Sequence, residues 1–227
     1  MTPGLSAEPP GGFTGALTAD EREQLTREGR RRRFARGAAL FNEGESSDRV
    51  VLLLSGRVKI SYFTDDGREV VLALRSAGDI LGELSALDGE PRSASAIALE
   101  PVEALVLPAE RFRDFLCAEP RVAVLLLEML ARRLRDADRK RVEFGAYDTV
   151  GRVARRLVEL ADRFGEPDGD AIHIALPLSQ DELAGWIGAS RKAVGNALAW
   201  LRRRNLIETR RRGVTVLDLE ALRKRAT

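Results

Sequence analysis

The stretch Gly188-Ala-Ser-Arg-Lys-Ala-Val-Gly195 decides how this chain is read, once its flanks are added. Upstream, Leu178-Ser179-Gln180-Asp181-Glu182-Leu183-Ala184 places Ser179 at a helix N-cap with Glu182 three residues on. At that spacing each side chain satisfies one of the free amides at a helix start. Gly188 ends the helix, because glycine enters a left-handed turn without steric cost. Ser190 caps a second helix, Arg191 to Arg203, which opens with two cations and carries Val194, Leu198 and Leu201 at helical spacing. Helix, short glycine turn and basic-start helix make a helix-turn-helix, whose second helix offers its first residues to base edges in the major groove. An ordinary helical hairpin would look the same up to this point.

The residues that follow separate the two. Leu206-Ile207-Glu208-Thr209 and Val214-Thr215-Val216 are short β-like runs joined by Arg210-Arg211-Arg212-Gly213. They form a hairpin with a basic tip, a wing suited to lie along phosphate. From Gln180 onward 11 Lys and Arg face 5 Asp and Glu, a surplus of six positive charges in a chain whose net charge is +2, so the remainder carries −4. That asymmetry is an electrostatic footprint for nucleic acid. The C-terminal domain is expected to bind double-stranded DNA.

Composition removes other classes. Hydrophobic residues at 44 % and charged residues at 32 % suit a chain of one or two cored domains. No run approaches the roughly 18 apolar residues of a membrane span. Met1 to Gly15 is rich in Pro and Gly and lacks a basic start and an apolar segment, so it reads as a disordered lead rather than a signal peptide. The one cysteine, Cys117, cannot form an internal disulfide, and its place in Phe112-Arg-Asp-Phe-Leu-Cys117 predicts a core position. The one histidine, His173, falls in the alternating run Ala171-Ile-His-Ile-Ala175 and reads as a strand residue. A lone His gives neither a metal cluster nor a catalytic dyad. The expectation is a cytoplasmic protein that is not an enzyme, without catalytic residues, metal or membrane partner.

From Phe34 to Leu107 short apolar runs alternate with Gly or Asp-Gly turns: Val50-Val-Leu-Leu-Leu54, Val58-Lys-Ile-Ser-Tyr62 and Val70-Val-Leu-Ala-Leu74 among them. Such spacing describes an antiparallel sandwich or jelly roll, in which Tyr62 and Phe63 are expected to pack. One segment departs from it, Gly82-Glu83-Leu84 through Pro91-Arg92-Ser93-Ala94. It combines a short helical turn with an arginine and a hydroxyl, and a phosphate is held by helix-start amides, a guanidinium fork and a hydroxyl donor. Glu83 suits such a site only as an acceptor for a sugar hydroxyl; a surface loop with an Arg–Glu pair is the plainer reading. Further on, Pro120 suits a helix first turn. Ala123, Leu127, Leu130, Leu134, Ala137, Arg141 and Phe144 then alternate in steps of three and four. That is a coiled-coil seam and predicts a homodimer, although a buried core helix shows a similar stripe.

These residues carry a resemblance. From about Phe34 to Val216 the chain resembles the Crp–Fnr family of bacterial transcription regulators, the cyclic-AMP receptor protein-like group. Gly82-Glu83-Leu84 to Arg92-Ser93-Ala94 is similar to that family's phosphate-binding cassette, Tyr147 to Ala154 to its hinge and first DNA-domain helix, and Glu182 to Gly195 to its helix-turn-helix. The resemblance implies that Glu83 contacts a ribose 2′-hydroxyl, Arg92 and Ser93 a cyclic phosphate, and the amides of Gly82 and Leu84 its neighbourhood. In the cyclic-AMP receptors a Thr-Ser or Thr-Asn pair late on the long helix holds the adenine, whereas here the matching residues are Ala137 and Asp138. At the recognition helix those receptors show Arg, Glu, and Arg or Lys, where this chain has Arg191, Lys192 and Asn196. Arg191 is expected to read a guanine and Asn196 suits adenine, so the half-site should depart from a TGTGA-like element. Ser179, Gln180, Ser190, Arg210, Arg211 and Arg212 complete the residues expected at DNA.

The fold expected is therefore α+β, with an N-terminal β jelly roll of the cyclic-nucleotide-binding type, a long dimerisation helix and a C-terminal winged helix-turn-helix. The expected divisions are a disordered lead 1–18, an effector-binding barrel 19–119, a dimerisation helix and hinge 120–146, and a DNA-binding domain 147–227. The function expected is a homodimeric transcription regulator controlled by a cyclic nucleotide, cyclic AMP or a relative, with RNA polymerase as a further partner. Two alternatives stand beside it: a family member that has lost cyclic-AMP control or senses another ligand, and a cyclic-nucleotide-binding module acting on a protein partner.

Overall fold

The computed structural model describes residues 12–46, 48–175, 178–210 and 213–226. The chain divides into two compact units: residues up to Tyr62 together with Leu72–Ala137, and Phe63–Val71 together with Asp138 onward.

The first unit opens with α1 (Gly12–Gly15) and α2 (Ala19–Glu28). Thr18 and Glu21 cap α2 reciprocally, the backbone amide of each donating to the other's side chain. The expected disordered lead is corrected here for residues 12–18, its earlier part lying outside the described residues. Phe13 and Leu17, each 4 % exposed, insert into the same core as Leu25, and burying each apolar side chain contributes about 1.5–3 kcal/mol. Two antiparallel four-stranded sheets follow. One has the order β1 (Arg30–Phe34), β8 (Val102–Pro108), β3 (Arg49–Ser55) and β6 (Ile80–Leu81). The other runs β2 (Ala39–Phe41), β7 (Ser95–Ala98), β4 (Val58–Phe63) and β5 (Glu69–Arg75), of which Phe63 and Glu69–Val71 count with the second unit. Alternate residues of β3 serve different cores: Val51 and Leu53 pack with Phe41 and Ala96 of the second sheet, while Val50 and Leu52 pack under the helices. This is the expected β domain, with the short helix α3 (Glu83–Asp88) set between β6 and β7. Tyr62 and Phe63 are 40 % and 44 % exposed rather than packed, being at the hairpin end of β4.

Helix α4 (Ala109–Ala118) buries Phe112, Phe115 and Leu116. Cys117 is exposed, not core, because it falls one position beyond that buried face. Helix α5 (Pro120–Ala146) runs through Gly145. Its apolar side chains form two stripes rather than one seam. Val122, Leu126 and Met129 enter the core of the first unit, with Ala123 and Leu130 packed against them. Val124, Leu127 and Leu134 stand 54 %, 64 % and 64 % exposed. The exposed stripe therefore runs through Val124, Leu127 and Leu134, with half-buried Ala131 between the last two, one residue away from the predicted register at its start.

The second unit holds the end of α5, α6 (Thr149–Phe164) and a four-stranded sheet ordered β11 (Ile207–Arg210), β12 (Gly213–Val216), β10 (Ala171–Ala175) and β9 (Gly165–Asp168). It is completed by α7 (Gln180–Ile187), α8 (Arg191–Arg203) and α9 (Leu219–Arg225). His173 lies on β10, its Nδ1 3.2 Å from Thr215 Oγ1.

Candidate functional site

The cassette is built around a left-handed glycine. Gly82 has φ 76° and precedes α3, and Gly89 closes α3 with φ 77°. A Cβ at Gly82 would collide with the Arg92 guanidinium, so the site requires glycine both for its backbone and for its space. Arg92 is 3 % exposed. It donates through Nη1 to the Gly82 carbonyl at 2.8 Å and through Nη2 to the Arg49 carbonyl, and lies 4.5 Å from the Phe41 ring centroid. Burial, then the neighbouring Arg49 charge, pulls its pKa below the usual arginine value. Ser93 and Leu84 are exposed beside it.

Glu83 is 5 % exposed and is bound by a residue that sequence reading missed. Arg133 of α5 donates to Glu83 Oε1 at 2.7 Å and to the Ile80 carbonyl at 3.1 Å, and lies 3.7 Å from Asp79. The available signal was the rule that a buried carboxylate carries a cation, together with the arginine pair Arg132-Arg133 on the adjoining helix. The structure thus brings Gly82, Glu83, Arg92 and Ser93 together. Ala137 stands one turn beyond Arg133 and is exposed, and Asp138, exposed too, begins the second unit.

In the second unit the predicted caps are present. Ser179 and Glu182 form a capping box on α7, Gly188 closes α7 at φ 66°, and Ser190 accepts from Ala193 N at 3.2 Å to cap α8. Val194, Ala197, Leu198 and Leu201 bury one face of α8, which leaves Arg191, Lys192 and Asn196 exposed. Arg191 reaches Asp181 of α7 at 3.4 Å with both side chains about two-thirds exposed, an ion pair of little energy. Asn196 borders a groove with Asp148, Thr149, Trp200 and Arg203. Ser179 and Gln180 are exposed at the start of α7. On the wing, Arg210 reaches Asp168 at 3.4 Å and Glu208 at 3.8 Å; Arg211 and Arg212 lie outside the described residues.

A joint not foreseen from sequence ties the end of α5 to this unit. Glu143, 9 % exposed, pairs with Arg155 at 3.2 Å and with Arg156, which in turn holds Glu159. Burial would raise the Glu159 pKa, but Arg156, Lys140 and Arg163 hold it below the usual value. The Phe144 ring lies against Gly188. Among the described residues no group of His, Cys, Asp and Glu is arranged to hold a metal, and no helix is long and apolar enough to cross a membrane.

Residues 31–118 match the cyclic nucleotide-binding domain, and residues 151–225 the Crp-like helix-turn-helix domain. A CRP-like cAMP-activated global transcriptional regulator of Mycobacterium tuberculosis is 38 % identical over 193 residues, 85 % of this chain and 86 % of that protein. A global nitrogen regulator of Synechococcus elongatus is 32 % identical over 191 residues, 83 % of this chain and 86 % of its own length. Among solved structures, the c-di-GMP responsive global regulator CLP of Xanthomonas campestris superposes with a TM-score of 0.77 at 25 % identity, covering 88 % of this chain and 100 % of its own. With cassette, long helix and helix-turn-helix in this order, the chain belongs to the Crp–Fnr family of transcription regulators.

Proposed function

We propose that this regulator works as a homodimer in the cytoplasm, binding two-fold DNA sites through α8 and the wing under control of a cyclic nucleotide held by the cassette. The convergence of Gly82, Glu83, Arg92 and Ser93 carries the effector reading: a guanidinium and a hydroxyl for phosphate, and a carboxylate for a ribose hydroxyl. The relative named as cAMP-activated and the neighbour described as c-di-GMP responsive make cyclic AMP and cyclic di-GMP the first candidates, with cyclic GMP beside them. Ala137 offers no hydrogen bond to a base, so adenine is held less firmly than by a threonine there. The exposed stripe Val124, Leu127 and Leu134 supports the dimer, since apolar side chains on one helical face gain by mutual burial. RNA polymerase is the further partner such a regulator needs, and none of these roles requires a catalytic residue.

One observation favours the second reading, a family member released from cyclic-nucleotide control. Glu83 is already engaged by Arg133, and two of the five Arg92 N–H donors go to backbone carbonyls. Calorimetric titration of the purified protein with each of the three nucleotides decides between them; heat of binding for none establishes the second reading. A salt titration on duplex DNA tests the output, a steep fall of log K with log salt being the mark of phosphate contacts.

A further inference from the structure

Asp148 poses an electrostatic problem in the second unit. It caps α6, accepting from Gly151 N at 2.7 Å, and its side chain is 64 % exposed. With Thr149 it borders the same groove as Asn196, Trp200 and Arg203 of α8. A bare carboxylate beside a helix that lies against DNA repels phosphate and weakens association.

The last turn of α9 answers it. Arg225 Nη2 donates to both Asp148 oxygens, at 2.7 and 2.6 Å. Its guanidinium lies 5.3 Å from the Trp200 ring centroid, and that ring also carries Arg204 at 3.6 Å. A Cβ on Gly151 would stand 3.2 Å from Arg225 Nη1, so the first turn of α6 is fitted around this side chain. Arg225 is held there by its helix: Leu222 is fully buried and Arg223 pairs with Asp162 of α6 at 2.7 Å. The Asp148 pKa lies below its usual value, through the Gly151 amide first and Arg225 next.

We propose that Arg225 is a positioning residue for DNA binding, cancelling the Asp148 charge beside the recognition helix so that the groove between α6 and α8 can approach the phosphate backbone. It acts through Asp148 and does not itself touch DNA. This rests on α8 being the recognition helix; a parent protein that fails to bind any duplex would sink that reading, whereas the variants below test only the pair.

The experiment is anisotropy of the full-length protein on a duplex recovered by selection, across a salt series. Arg225→Gln should weaken binding about fivefold to tenfold and flatten the log–log salt slope. Asn caps a helix as well as Asp does, so Arg225→Gln with Asp148→Asn should restore affinity and slope to within about twofold of the parent. Asp148→Asn alone, which leaves Arg225 uncompensated, should bind more tightly with a steeper slope. A double variant as weak as Arg225→Gln means that Arg225 contacts phosphate or only supports the fold, and overturns the proposal. So does an Arg225→Gln protein that binds like the parent, or an Asp148→Asn protein that binds no more tightly.

Discussion

Arg92 in the first unit and Arg191 in the second are both guanidinium groups at sites suited to a nucleotide or nucleic acid, yet they are deployed in opposite ways. Arg92 is 3 % exposed and bonded to two backbone carbonyls, under an aromatic ring. The Arg191 side chain is 65 % exposed and holds one distant carboxylate. A ligand at Arg92 meets a guanidinium fixed through two of its five donors, its buried Nε still unpartnered, so the bonds that orient it also hold the cassette together. A base at Arg191 meets a fork restrained only by side-chain entropy. The barrel site is therefore coupled to the stability of its own unit, and the recognition helix is not.

The sharpest way to break this comparison is at Arg133. Arg133→Met strands Glu83, a buried carboxylate, and should cost about 3–5 kcal/mol of stability in the first unit; an unchanged melting temperature would show the cassette to be independent of α5. Arg92→Leu comes next. It should abolish cyclic-nucleotide binding at a cost of about 2–5 kcal/mol, and should also lower the melting temperature, because the Gly82 and Arg49 carbonyls lose their donor. A variant that melts with the parent but no longer binds would make Arg92 a pure ligand contact. On the other side, Arg191→Ala should lose about 1–3 kcal/mol of DNA affinity and relax preference at one base pair, with no change in melting. Selection from a random pool reads the neighbouring positions as well, and recovery of an unaltered TGTGA-type half-site would remove Lys192 and Asn196 from base reading. The smallest effect belongs to the base end of the effector site: Ala137→Thr should tighten cyclic AMP by about 0.5–1.5 kcal/mol, measured by calorimetry beside the parent.

Sequence made the second unit legible because its signals are local. Ser179 with Glu182, Ser190, Gly188 and the Ile207–Val216 hairpin each fix their own few residues of backbone. The first unit yielded its strands and cassette on the same grounds. What escaped depended on distant pairing. Arg133 finds Glu83 across 50 residues of chain, and Arg225 finds Asp148 across 77; no short-range pattern encodes either. The register of α5 was displaced because two apolar faces share one helix, and a single three-and-four stripe drawn through it takes residues from both. Cys117 was misplaced for a related reason, its neighbours Phe115 and Leu116 completing the buried face before it.

Gly188 has a meaning for inheritance as well as for geometry. It is left-handed at φ 66°, and a Cβ there would also enter the ring of Phe144, a residue 44 positions earlier on another helix. Two independent constraints thus fall on one codon, and relieving one does not relieve the other. An asparagine tolerates the backbone but not the ring; a smaller residue at 144 clears the ring but does nothing for the backbone. Loss of the glycine is then best suppressed by a paired change, Gly188→Asn with Phe144 reduced in size, which spares the half-exposed ring from turning aside. Descendants of this sequence that replace Gly188 should therefore carry a smaller residue at 144, whereas position 144 is free to shrink while the glycine remains.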